Sequence, residues 1–178
     1  MILIITKPVF FAGEGERIGD MLMDDEADKI HIRKPGASMS EMERLLQSIP
    51  SELYPRLVMH DCFRLAVSYG VGGIHLNRRN TVPPCGWEGQ VSISCHSLEE
   101  LEECRKKSYD YMSLSPIFDS ISKKGYHSMF TREQLMEARR KGIIDHRVMA
   151  LGGVTFARVE EVMAMGFGGA MILGDAWR

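Results

Sequence analysis

The stretch SPIFDSISKKG, Ser115 to Gly125, places hydroxyls and ammonium groups directly after a run of apolar residues. Ser120, Ser122, Lys123 and Lys124 together offer O–H donors, N–H donors and positive charge, the equipment for holding a phosphate group. Similar groups follow other apolar runs. Arg33 and Lys34 follow KIHI, and His60 and Asp61 follow RLVM. His75 lies within GGIHL, with Asn77, Arg78, Arg79 and Asn80 after it. Ser94 and His96 come at the end of QVSIS, Gly152 and Gly153 close VMALGG, and Leu173, Gly174 and Asp175 close AMILGD. Cations, hydroxyls and glycines dominate this set, and carboxylates are few. That balance suits a phosphorylated small molecule, because glycine turns and helix N-termini present backbone N–H groups to phosphate.

Each residue also has a plainer reading. Asp61 could cap a helix that begins at Cys62. His75 could be a satisfied core histidine, and Arg78 and Arg79 a solvated loop face. Gly152 and Gly153 could serve only a tight turn. Cys95 reads as core rather than as a nucleophile, since the sequence places no base beside it. What raises these positions above the plain readings is their shared location after strand-like runs.

Those runs are ILIIT (2–6), KIHIR (29–33), RLVMH (56–60), GGIHL (72–76), QVSIS (90–94), YDYMSLS (109–115), HRVMALG (146–152) and GGAMIL (168–173). Helical patterns lie between most of them. Ser38 with Glu41, Ser97 with Glu100 and Thr131 with Gln134 read as capping boxes. Asp61 is expected to cap CFRLAVSYG, and Thr155 to open TFARVEEVMAMG with Val159, Val162 and Met163 inward. Strands with few polar breaks that alternate with helices imply parallel strands joined by crossovers. Eight such units imply a compact (β/α)₈ TIM barrel, expected as a single domain over residues 1–178, with its active site at the C-terminal ends of the strands. An open doubly wound sheet is the alternative, but no glycine-rich dinucleotide turn follows the first run. NRRNTVPPCGWEG (77–89) is too rich in proline and glycine for a normal helix, so the crossover after strand 4 is abbreviated. The final helix is missing from the given chain, which ends at DAWR, and the chain is expected to continue.

The bulk values bound the function. The net charge of −2 gives no electrostatic case for nucleic acid. No apolar run approaches the ~20 residues of a membrane span. The four cysteines form no C-x-x-C pair, so a disulfide framework is not expected and the cytoplasm is the default location.

LVMHDCFRLAVSYGVGGIHL, SCHSLEE, YMSLSPIFDSISKKG and ALGGV occur in an order that resembles the thiamine phosphate synthase family, including its TenI-type thiazole tautomerases. The resemblance runs nearly end to end. It implies a transferase that joins hydroxymethylpyrimidine diphosphate to thiazole phosphate and releases diphosphate, with Mg²⁺ as cofactor. The family's Gln-x-Arg-x-Lys corresponds to His31, Arg33 and Pro35, so only the arginine is retained. Its Asn-Asp pair corresponds to His60 and Asp61, and its second metal carboxylate to Asn80. Ser94 matches a family serine. Pro116, Phe118, Ser120, Ser122 and Lys123 match Gly-Pro-x-Phe-x-Thr-x-Thr-Lys, with serines for the threonines. Gly152 and Gly153 match the Gly-Gly turn, and Gly174 replaces a serine. The resemblance thus implies Arg33, Ser94 and Lys123 as catalytic. Asp61 and Asn80 become a weakened metal pair, and His31, His60, His75, Ser120, Ser122, Gly152, Gly153, Leu173 and Gly174 substrate or phosphate ligands.

The departures cluster on the metal side, which keeps two other readings open. One is a metal-free thiazole phosphate tautomerase, although the tautomerase's catalytic histidine falls at Pro116; His31, His60 or His127 would have to replace it. The other is a non-catalytic binder of phosphorylated ligands. The sequence leaves the oligomeric state open.

Overall fold

The computed structural model describes residues 1–78, 80–119 and 128–178. Its strands are β1 (Ile2–Ile5), β2 (Lys29–Ile32), β3 (Leu57–Met59), β4 (Gly73–Leu76), β5 (Gln90–Cys95), β6 (Tyr111–Leu114), β7 (Val148–Leu151) and β8 (Gly169–Ile172). They are hydrogen-bonded in chain order and close into a parallel eight-stranded barrel. The (β/α)₈ expectation holds, and the open sheet is excluded. The chain divides into two compact units, Leu3–Val91 and Met1–Ile2 with Ser92–Arg178.

Within Leu3–Val91, β1 pairs with β2 through Ile4 and Ile30, and β2 with β3 through Ile30 and Leu57. Leu3, Ile4, Ile30, Ile32, Leu57 and Met59 are all fully buried. Helix α1 (Glu14–Met23) follows β1 and buries Ile18, Met21 and Leu22, spaced to fall on one face. Gly15 permits its close packing: a Cβ there would lie 2.0 Å from Ser48 Oγ, just past α2 (Met39–Gln47). Ser38 caps α2 in the expected box with Glu41, and Met42, Leu45 and Leu46 turn inward.

Helix α3 (Phe63–Tyr69) departs from expectation. Its N-cap is Cys62, in the left-handed region with no side-chain cap bond, so Asp61 is not the cap. The chain turns sharply at Cys62 and leaves the Asp61 carboxylate for another partner. Between β4 and β5 no helix occurs among the described residues, as the prolines required.

In the second unit, β5, β6, β7 and β8 pair in sequence. Helix α5 (Arg132–Arg140) starts at Thr131 with the expected box, whereas α4 (Leu98–Arg105) starts at Ser97 with half of it: Ser97 Oγ accepts from the Glu100 N–H, but Glu100 Oε2 accepts from the His96 N–H at 2.7 Å rather than from Ser97. Thr155 makes no cap bond; a 3₁₀ turn over Phe156–Arg158 precedes α6 (Val159–Ala164), and the Phe156 N–H donates to Asp175 Oδ2 at 3.0 Å. Met163 is 44% exposed and Met165 buried, which corrects the expected inward face. Beyond β8 lies a 3₁₀ turn, Asp175–Trp177.

Candidate active site

In Leu3–Val91 the ends of three neighbouring strands bring the expected polar residues together. His31 sits on β2, His60 follows β3 and His75 sits on β4, and all three are buried. His31 Nδ1 lies 2.9 Å from His60 Nε2. The His60 and His75 rings stack with centroids 4.3 Å apart, and the His31 ring meets both edge-on at 5.2 and 5.3 Å. One ring nitrogen from each falls within 4.8 Å of the others, and no further cluster of metal-binding type occurs among the described residues.

Burial dominates the electrostatics of this cluster. It drives the pKa of His31 well below the ordinary 6.5, aided by His75 and Lys29. It drives His75 down to about 3, aided by the Arg33 charge. Both rings are therefore neutral at pH 7. Below 6.5 the unfolded chain binds protons that the folded chain refuses, so stability is present above that value and lost as the pH falls towards the folded pKa. The expected loss approaches about 1.4 kcal/mol per pH unit for each histidine. Urea unfolding at pH 7, 6, 5 and 4 should yield this slope, and His75→Gln should make it shallower. An unchanged slope in the variant would remove His75 as the cause.

Asp61 and Asn80 come together as the sequence suggested, but in an unexpected manner. Asn80 Nδ2 donates to Asp61 Oδ1 at 2.8 Å and to the His60 carbonyl at 3.1 Å. Asn77 Nδ2 donates to the same carbonyl at 3.1 Å, and Asn77 and Asn80 exchange backbone hydrogen bonds of 2.9 and 3.1 Å. The short turn after β4 is thus tied to the residue that precedes Asp61. The bracing by Asn77 was not foreseen; a second amide three residues before Asn80 was the available signal. Arg33 is half-buried, and its backbone N–H donates to Thr6 Oγ1 at 2.9 Å.

Lys34 stands apart from this group. Its ammonium is buried on Glu14, with Nζ 2.6 and 2.7 Å from the carboxylate oxygens, and it also donates to the carbonyls of Lys7 and Val9. It anchors the β1–α1 connection rather than facing a ligand. Glu14 was missed because nothing in the sequence links it to a lysine at the end of a later strand.

In the second unit Ser94 is half-buried on β5, with Ser113 as its register partner on β6. Ser115 Oγ lies 3.2 Å from His96 Nδ1. Gly152 and Gly153 have φ of 92° and 64°, and Cβ atoms there would lie 2.7 Å from Pro116 Cα and 2.4 Å from the Asp119 carbonyl oxygen. The turn therefore requires glycine sterically as well as conformationally. Leu173 is half-buried and Gly174 exposed at the end of β8. Pro116 is buried. Cys95 is buried too, and burial pushes its thiol pKa well up, which fits core rather than nucleophile. Ser120, Ser122, Lys123, Lys124, His127 and Arg79 lie outside the described residues.

A family model described as thiamine monophosphate synthase matches residues 2–174. The thiamine-phosphate synthase of Listeria welshimeri is 30% identical over 144 residues, covering 78% of this chain and 69% of the relative. A crystal structure of thiamine phosphate pyrophosphorylase from Bacteroides thetaiotaomicron superposes with a TM-score of 0.86 at 41% identity, over 99% of this chain and 84% of the other. The fold is shared with thiamine phosphate pyrophosphorylase from Pyrococcus furiosus at TM-score 0.76 and 21% identity, over 98% and 89% of the two chains.

Proposed function

The chain belongs to the thiamine monophosphate synthase family, and from that premise we propose that it is a transferase joining hydroxymethylpyrimidine diphosphate to thiazole phosphate. The C–O bond to the diphosphate breaks, and its electron pair leaves with the diphosphate. The electron-rich pyrimidine carries the resulting positive charge, and the thiazole nitrogen donates the pair that forms the new C–N bond. Such a reaction needs positioning and neutralisation of the leaving group more than covalent help.

Arg33, at the end of β2, is the cation assigned to the leaving diphosphate. Lys123, Ser120 and Ser122 are assigned to phosphate from the sequence alone. Ser94 is assigned a catalytic hydrogen bond, and the Gly152–Gly153 turn and the Leu173–Gly174 backbone hold the thiazole phosphate. The observation that carries the reading is Asp61, released from helix capping and held at 2.8 Å by Asn80.

The donor set fits Mg²⁺ that arrives with its substrate: one carboxylate with substrate phosphate oxygens is a common way to hold this ion. Asp61 would hold it, with Asn80 orienting the carboxylate, and the ion would supply neutralising charge for the diphosphate. An Asn80→Asp exchange restores an anionic oxygen. It should lower the Mg²⁺ concentration for half-maximal activity about tenfold, about 1.4 kcal/mol. Without Mg²⁺ the same variant should melt lower than the parent, because two carboxylates then face each other.

The tautomerase alternative wants a base where the buried Pro116 has none. A cytoplasmic setting belongs to the same proposal, supported by four cysteines free of disulfides. Calorimetry tests the division of labour. Thiazole phosphate should bind with or without Mg²⁺, and diphosphate should bind more tightly with it. Diphosphate binding indifferent to Mg²⁺ would contradict the assignment of Asp61.

A further inference from the structure

We propose that His31, His60 and His75 form a binding site for a zinc-class divalent transition metal, separate in ligand chemistry from the oxygen-based Mg²⁺ position at Asp61. Three ring nitrogens, one from each histidine, lie within 4.8 Å of one another. Three imidazoles on one tetrahedral ion, at Zn–N distances of about 2.0–2.1 Å, set their ring centroids about 5 Å apart. Two of the three pairs already stand at 5.2 and 5.3 Å. The third, stacked at 4.3 Å, needs the His60 and His75 rings to splay, and the 2.9 Å contact between His31 Nδ1 and His60 Nε2 to open around the ion.

The ligands are prepared for this in two ways. They are 0%, 5% and 1% exposed, so an ion there is largely removed from water. His31 and His75 are also held neutral at pH 7 by burial, the protonation state a metal requires, so little proton release accompanies binding. The scaffold is stiff, since β2, β3 and β4 pair in register and two asparagine amides grip the His60 carbonyl. Imidazole nitrogen selects zinc, cobalt or nickel over magnesium, whereas Asp61 offers the reverse preference. Arg33, which already depresses the pKa of His75, opposes a cation here and lowers the affinity below that of an uncharged three-histidine site. Three protein ligands leave a fourth position for water or a substrate atom.

The test is a titration of tag-free, metal-stripped protein with Co²⁺, followed by visible absorption and proton NMR. The expected result is saturation at one equivalent, tetrahedral d–d bands that Zn²⁺ abolishes, and a hyperfine-shifted imidazole N–H from each histidine. His31→Asn and His75→Asn, each checked for fold by circular dichroism, should lose the bands. The NMR signals come from the unaltered protein, so the test stands even if a variant fails to fold. Absence of the bands would overturn the proposal, as would their persistence in both folded variants. A sulfur-to-cobalt charge-transfer band would also overturn it, since it would place the ion on a cysteine.

Discussion

Replacing Asp61 by alanine is expected to lower kcat for thiamine phosphate formation by about 10²–10³-fold, about 2.7–4 kcal/mol, the scale of one preorganised electrostatic partner lost from a transition state. The size follows from isolation. With Asn80 in the second position, Asp61 is the only carboxylate of the pair that the family resemblance assigns to the metal. Its loss also leaves Asn80 Nδ2 with the His60 carbonyl as its remaining acceptor of the two seen here. Folding should be little affected, because Asp61 caps no helix. Steady-state rates across a Mg²⁺ series check this. A rate within threefold of the parent would mean that the charge at residue 61 does not reach the reaction.

The second large effect concerns stability. Lys34→Met should cost about 3–5 kcal/mol, because it strands the Glu14 carboxylate in a buried place. In the parent both groups are almost completely buried, with side-chain exposures of 0% and 2%. Burial raises the pKa of Glu14 and lowers that of Lys34, outweighing the mutual attraction that works the other way. The pair is thus no large source of stability in itself, yet breaking it is costly. The double change Glu14→Leu with Lys34→Met should lose much less than Lys34→Met alone. In the single variant the folded pKa of Glu14 stays above its unfolded value. The stability linked to that proton is then present at low pH and lost as pH rises through the folded pKa. Urea denaturation of the three proteins at pH 7 and pH 4.5 decides this. A double variant as unstable as the single would locate the damage in packing rather than charge.

The barrel was legible because each strand is a short apolar run bounded by turn residues, and because three helix starts carry side-chain caps, two of them reciprocal. Helix α1 was not, since Gly15 and Gly19 inside it depress helix propensity. Gly15 makes sense only once Ser48 is seen against the helix. Much the same holds for the site. The sequence placed Asp61 and Asn80 after successive strands, but an amide that donates to its partner is a matter of side-chain orientation. The histidines were each placed at a strand or its end. Their meeting depends on the register of β2, β3 and β4, which no spacing along the chain reveals. Lys34 directly follows Arg33 yet points elsewhere, as its place in the sequence next to the lost family lysine implied; that its partner is Glu14 was not legible.

The measurement that bears most directly on the function is product formation. Purified protein is mixed with hydroxymethylpyrimidine diphosphate and thiazole phosphate, and thiamine phosphate and released diphosphate are quantified with Mg²⁺ and with chelator. The expected result is equimolar thiamine phosphate and diphosphate with Mg²⁺, and little of either with chelator. Tight binding of both substrates with no thiamine phosphate at any Mg²⁺ concentration would contradict the transferase reading and leave a binding protein in its place.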